Sequence, residues 1–142
     1  MAAAEPAFVV DASVGAAWFL PDEATTGTEA ALHATATHDV WVPAWWLLEI
    51  GNLLLRAQRR KRISADKRRE LAAAASALRL KIDREAVSIG VLDEIAARHD
   101  LSAYDAAYME LALRRGLPLA TQDEALRAAM AKAGVAAAAL SR

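Results

Sequence analysis

Short runs of uninterrupted apolar residues alternate with longer stretches of helical periodicity along this chain. Residues 7–10 (AFVV) are the first such run and predict a strand buried on both faces. Val14 to Leu20 follows as a helical turn stopped by Pro21, and Thr25 to Thr37 carries a helical pattern. Val40 to Val42 predicts a brief second strand. Pro43 then suits the start of a helix, where a missing N–H does no harm, and that helix runs to about Arg60. Its first half is apolar on all sides, which predicts that it is largely buried.

Ser64 is a suitable N-cap for a second long helix, reaching about Lys81, with Ile63, Leu71, Ala75, Leu78 and Ile82 as its apolar stripe. Glu85 to Ile89 reads as a strand and Val91 to His99 as a short helix. Ser102 caps a helix to Arg115, and Gly116 ends it. Leu117 to Ala120 reads as a strand and Glu124 to Lys132 as a helix, with a weak final strand at Val135 to Leu140 beyond Gly134. Short, wholly apolar strands alternating with helices predict an α/β fold whose parallel sheet is covered on both faces. No linker or repeat interrupts the pattern, and 142 residues suit one domain spanning 1–142.

Four carboxylates break into this pattern. Asp11 ends the first apolar run, Glu49 interrupts WWLLEIGNLLL, Asp105 opens SAYDAAYMELAL, and Asp123 follows LPLAT. Each has a purely structural explanation. Asp11 can cap the helix beginning near Ser13, and Glu49 can pair with an arginine. Asp105 stands in a capping-box position after Ser102, and Asp123 lies in the first turn behind a Thr121/Glu124 box. Yet all four fall on the carboxyl edge of the expected sheet or at a buried helix position, where open α/β sheets bind ligands. Carboxylates about 4 Å apart repel by roughly 4 kcal/mol at an effective dielectric near 20, so a converging set needs a cation. Asn52, one turn after Glu49, is placed to orient it.

The chain has no cysteine, and its three histidines form no close ligand pair, so a metal would be held by oxygen, favouring Mg²⁺ or Mn²⁺ over Zn²⁺. Lack of cysteine also fits a reducing cytosol, and a cytoplasmic location is the expectation. The opening MAAAEPAFVVD has no basic stretch of a secretory leader, and no apolar run is long enough for a membrane span. Net charge is −1, but five of the seven residues Arg56 to Arg62 are basic. Arg56, Arg59 and Arg60 could therefore hold an RNA backbone, against the alternative of a solvated helix end favourable to the dipole. Trp41, Trp45 and Trp46 could stack on bases, though their apolar setting favours core packing.

The order FVVDAS, LLEIGN and SAYDAAYMELALRRGLPLATQDEAL resembles the PIN-domain family, particularly its VapC-type toxins, over nearly the whole chain. The resemblance implies a three-layer α/β/α sandwich with a short central parallel sheet. Asp11, Glu49, Asp105 and Asp123 fall on the family's acidic quartet, Ser13 and Thr121 on its hydroxyl positions, and Asn52 on an asparagine often found after the glutamate. The implied activity is a Mg²⁺- or Mn²⁺-dependent endoribonuclease whose products carry 5′-phosphate. The implied partners are a cognate antitoxin, RNA and a second copy of the chain. The alternative is a PIN-like module that binds RNA or protein without cutting. A phosphatase of the haloacid dehalogenase type needs a second aspartate where this chain has Ser13, and a receiver domain needs an acidic pair and a late lysine that are not in place.

Overall fold

The computed structural model describes residues 6–138. Phe8, Val9 and Val10 are buried on both faces in the first strand, β1 (Ala7–Val10), as their unbroken apolar character requires. Two helices, α1 (Ala12–Phe19) and α2 (Thr26–Ala34), lead to β2 (Asp39–Pro43). A 3₁₀ turn at Pro21–Glu23 separates them, and the Thr25–Thr28 capping box starts α2. Helices α3 (Trp45–Arg59) and α4 (Ala65–Ala77) lead to β3 (Lys81–Asp83). Helices α5 (Ile89–His99) and α6 (Ala103–Arg115) lead to β4 (Leu119–Ala120), and α7 (Glu124–Ala133) follows.

The sheet is parallel throughout, in the order β3-β2-β1-β4. The chain therefore steps outward from β1 to β2 to β3, then crosses back to the other side of β1. Right-handed crossovers put the helices of the outward and returning steps on opposite faces. Accordingly α6 lies on β1 and β2 with α5 and α7 against it, while α1 packs on α2 and α3, and α3 on α4. The reversal leaves a crevice at the carboxyl ends of β1 and β4, the place where open α/β sheets bind ligands.

Several expectations need correction. Pro43 ends β2 rather than starting a helix, and α3 begins at Trp45. The first half of α3 is not buried all round: Trp46, Ile50, Leu54 and Ala57 face inward, while Leu48 is 71% exposed and Leu47 46%. One layer of helices over a four-stranded sheet can cover only one stripe of α3. The second long helix stops at Ala77, and its strand is Lys81–Asp83, not Glu85 to Ile89, where Ser88 instead caps α5. The final strand reduces, among the described residues, to one parallel bridge between Ala137 and Leu119, and its last positions lie outside them.

Candidate active site

Asp11 is placed by β1 and fixed by its surroundings. It is 3% exposed and caps α1, its Oδ1 accepting the Val14 N–H at 3.1 Å. The Ser13 hydroxyl donates to the same oxygen at 2.7 Å, and the Thr121 hydroxyl donates to Oδ2. Both hydroxyls are themselves acceptors: Gln122 N–H donates to Ser13 Oγ at 2.9 Å, and Asp123 N–H to Thr121 Oγ1 at 3.0 Å. The ends of β1 and β4 are further tied by Asp11 N–H to the Ala120 carbonyl at 3.2 Å. Burial raises the Asp11 pKa, and the donors from Thr121, Ser13 and Val14 work against that rise.

Glu49 is half-buried on α3. The Tyr108 hydroxyl on α6 donates to its Oε1 at 3.2 Å. Burial raises its pKa, the Tyr108 bond opposes, and the charges of Asp11 and Asp105 add to the rise. Tyr108 is itself almost fully buried; burial, then the charge of Glu49, push its hydroxyl far from ionisation. Asp105 is in the first turn of α6, whose N-cap Ser102 accepts the Asp105 N–H at 3.1 Å. Its pKa is raised by burial, then by the charges of Asp123 and Asp11. Asp123 itself caps α7, accepting the Leu126 N–H at 2.8 Å, so the expected Thr121/Glu124 box is replaced. Thr121 serves Asp11 instead.

Asp11 and Asp105 thus act on Glu49, and Asp123 and Asp11 act on Asp105, at the β1/β4 crevice. The expected role of Asn52 falls to Tyr108: Asn52 is exposed, and the hydroxyl that reaches Glu49 comes from α6. Two further residues support the acids. Tyr108 stands one helical turn after Asp105 and so faces the same way, which is a signal in the sequence. Gln122 grips Ser13 twice, through its N–H and through its side-chain amide to the Ser13 carbonyl at 3.3 Å, and no sequence pattern announces that. Arg56 shares the Glu49 face of α3 and lines a cleft beside it, and like Arg59 and Arg60 at the helix end it is exposed. Trp46 is core, its Nε1 donating to the Asp11 carbonyl at 3.3 Å; Trp41 lies half-buried under Arg115; Trp45 lines the cleft.

The donor set suits a hard divalent cation, because it is all carboxylate; burial raises the pKa of Asp11, Glu49 and Asp105, and neighbouring acids add to the rise at Glu49 and Asp105. Lone pairs are available. Glu49 gives one of its about four acceptor positions to Tyr108, whereas Asp11 accepts from the Ser13 and Thr121 hydroxyls and from backbone N–H groups. As placed, however, no three acidic or histidine side chains among the described residues form a group tight enough to hold an ion.

A parallel α/β domain with acids gathered at the reversal point of its sheet places them where open α/β sheets bind ligands. The chain belongs to the PIN-domain family, a family of nucleases, whose sequence model matches residues 8–132. Among solved structures, it is similar to the crystal structure of PAE2754 from Pyrobaculum aerophilum, at 24% identity and a TM-score of 0.64, over 87% of this chain and 79% of that one. That likeness confirms the fold. A search of curated proteins gave no match. Among the described residues, no helix is long and apolar enough to cross a membrane.

Proposed function

We propose that this protein is a Mg²⁺- or Mn²⁺-dependent endoribonuclease acting as the toxin of a toxin–antitoxin pair. One observation carries the reading: at the β1/β4 crevice Asp11, Glu49 and Asp105, from three separate elements, are each raised in pKa by burial, and Glu49 and Asp105 also by acidic neighbours. A fold that gathers unpaired carboxylates spends stability on them, and such expense marks functional sites. Asp11, Glu49 and Asp105 would hold the ion, with Asp123 beside Asp105. When bound, the ion offsets charge on the phosphodiester and lowers the pKa of a water able to attack phosphorus. Ser13 and Thr121 hold the Asp11 carboxylate in one orientation, and Tyr108 does the same for Glu49.

The same acids would accept a basic side chain from an antitoxin, which would replace the cation's charge. A homodimer and a cytoplasmic location complete the proposal. The second reading, a PIN-like module that binds without cutting, is favoured by the spacing of the acids, which as placed do not close on one ion.

A mixed RNA pool incubated with purified protein in Mg²⁺, Mn²⁺ or EDTA separates the two, with Asp105→Asn beside Asp11→Asn. Metal-dependent cutting to 5′-phosphate ends, absent from both variants, supports the nuclease. Cutting that survives in EDTA, or in both variants, removes the acidic site from the chemistry. RNA bound but intact under every condition supports the binding module.

A further inference from the structure

Thr121 and Gln122 lie past the end of the β1/β4 ladder, which stops at the pairing of Val10 with Ala120 and the bond from the Asp11 N–H to the Ala120 carbonyl. The cavity of about 380 Å³ behind them is lined by Leu119, Ala120, Thr121, Gln122 and Met130, and by none of the four acids. On that side the peptide joining Thr121 to Gln122 faces open space rather than packed side chains. Among the described residues, one charged side chain lines the cavity, that of Arg127.

Arg127 reaches back from α7, and its Nε donates to the Thr121 carbonyl at 3.1 Å. The plain alternative is a solvated arginine on an exposed helix face. Two facts argue for more. Arg127 stands four residues after Asp123, the N-cap of α7, where a cation gains nothing from the helix dipole. Among the described residues no salt bridge involves it, so the carbonyl bond is not a by-product of an ion pair.

The carbonyl it grips belongs to the same peptide unit as the Gln122 N–H, which donates to Ser13 Oγ at 2.9 Å. A trans peptide unit is planar, with its C=O and N–H pointing in opposite directions. This one is therefore clamped at both ends, by Arg127 and by Ser13. Ser13 passes the hold on to Oδ1 of Asp11 at 2.7 Å, and the Thr121 hydroxyl donates to Oδ2. A cationic donor on the carbonyl also polarises the unit and strengthens its N–H as a donor.

We propose that Arg127 is a positioning residue for the acidic site: by holding the Thr121–Gln122 peptide it fixes both hydroxyls that orient the Asp11 carboxylate. It acts through Ser13 and Thr121 and not on a substrate. The consequence for cleavage rests on the ribonuclease reading; the clamp itself does not.

Two variants separate the bond from the charge. Glutamine carries its amide nitrogen at the same number of bonds from the backbone as the arginine Nε, so Arg127→Gln keeps the donor and removes the charge. Arg127→Met keeps the length and removes both. The side chain is exposed, so neither change disturbs the core. The test is amide hydrogen exchange, followed by NMR on the metal-free protein. In Arg127→Met the Gln122 and Asp123 amides, which bond the two hydroxyls, should exchange roughly tenfold faster, while the Val9 amide in the sheet keeps its wild-type rate. Arg127→Gln should stay close to wild type. Wild-type rates in Arg127→Met overturn the clamp; so does an equal loss in both variants, which would leave the charge alone at work. Faster exchange at Val9 as well reduces the effect to general stability and overturns it too.

Cleavage of an RNA in Mn²⁺ is scored separately. A lost clamp should lower kcat roughly tenfold in Arg127→Met with KM unchanged, and Arg127→Gln should recover it. A raised KM with wild-type kcat in both variants would make Arg127 a phosphate contact and overturn the positioning role. If wild type does not cut, the ribonuclease reading fails while the exchange rates still decide the clamp.

Discussion

The hydroxyl of Thr121 donates to Oδ2 of Asp11, joining positions 110 residues apart across the two strand ends that frame the site. Thr121 Oγ1 accepts the Asp123 N–H and donates to Asp11, and Ser13 stands in the same way between the Gln122 N–H and Asp11. Asp11 therefore meets donors on both oxygens, an arrangement that favours its carboxylate form. Burial raises its pKa and this cage resists the rise.

Thr121→Val keeps the shape of the side chain but removes both bonds. It strands a buried carboxylate oxygen and the Asp123 N–H, at a cost of about 1–3 kcal/mol. Urea unfolding should show that loss, with Thr121→Ser close to wild type because it restores the hydroxyl. A valine variant as stable as wild type would mean that the bond contributes nothing.

Tyr108→Phe tests the hold on Glu49. The ring is almost fully buried and phenylalanine fills nearly the same volume, so the fold should persist while Glu49 loses its donor. Partners that orient a ligand change metal affinity by roughly 10–100-fold when removed. The Mn²⁺ concentration for half-maximal cleavage should rise within that range, with a smaller change at saturating Mn²⁺. An unchanged metal requirement would reduce Tyr108 to a packing residue.

The acids and their edge were legible because an apolar run ending in a carboxylate is a poor bargain for a core and stands out. Their partners were less so. Tyr108 hides in SAYDAAYMELAL as one more apolar residue, and only its one-turn offset from Asp105 points to Glu49. In the sequence, KID of β3 offers one apolar side chain between two charged ones, whereas the more apolar AVSI nearby reads as the better strand. What makes β3 a strand is its pairing with β2, and what lets it end on a buried aspartate is Arg114 and Arg115, about thirty residues later. Contacts at that separation leave no local periodicity.

Those arginines give Asp83 the opposite titration from the site acids. Arg114 bonds it at 2.7 Å and Arg115 at 2.9 Å, so Asp83 is 4% exposed because guanidinium groups cover it. Hydrogen bonds from Arg114 lead in holding its pKa below the usual carboxylate value. A depressed folded pKa contributes stability that is complete above the unfolded value, about 4, and is lost as pH falls through the folded one. Asp83→Asn should cost about 1–3 kcal/mol near neutrality, allowing for the partly exposed arginines, and should blunt acid unfolding below about pH 4. Parallel stability–pH curves for the two proteins would refute this.

Asp105 runs the other way. Burial and the charges of Asp123 and Asp11 raise its pKa, so its contribution favours the fold below about pH 4 and is lost as pH rises through the raised value. In EDTA at neutral pH, Asp105→Asn should be more stable than wild type, read as a higher Tm. Added Mn²⁺ should stabilise wild type, by about 2.7 kcal/mol at a hundredfold excess over Kd, and the variant less. A calorimetric scan in which Mn²⁺ moves neither protein would argue against a cation among these acids.

Gly15 sets the distance between α1 and α3, which carry Asp11, Ser13 and Glu49. A Cβ there would lie 2.7 Å from Cζ2 of Trp46 and 3.0 Å from Cδ1 of Ile50, and Trp46 is fully buried with its N–H on the Asp11 carbonyl. Alanine would gain about 1 kcal/mol in helix propensity. Overpacking costs about 1–3 kcal/mol, so the net loss of stability should be small. The geometry should suffer more. Relief requires α1 to move from α3, and with it Asp11 and Ser13 from Glu49, and misplacement by about 1 Å can cost a hundredfold in rate. Gly15→Ala should therefore lose cleavage at least tenfold while its Tm falls by only a few degrees. Full activity in a folded alanine variant would show that the helices have slack, and that the contact of α1 with Trp46 does not set the spacing of the acids.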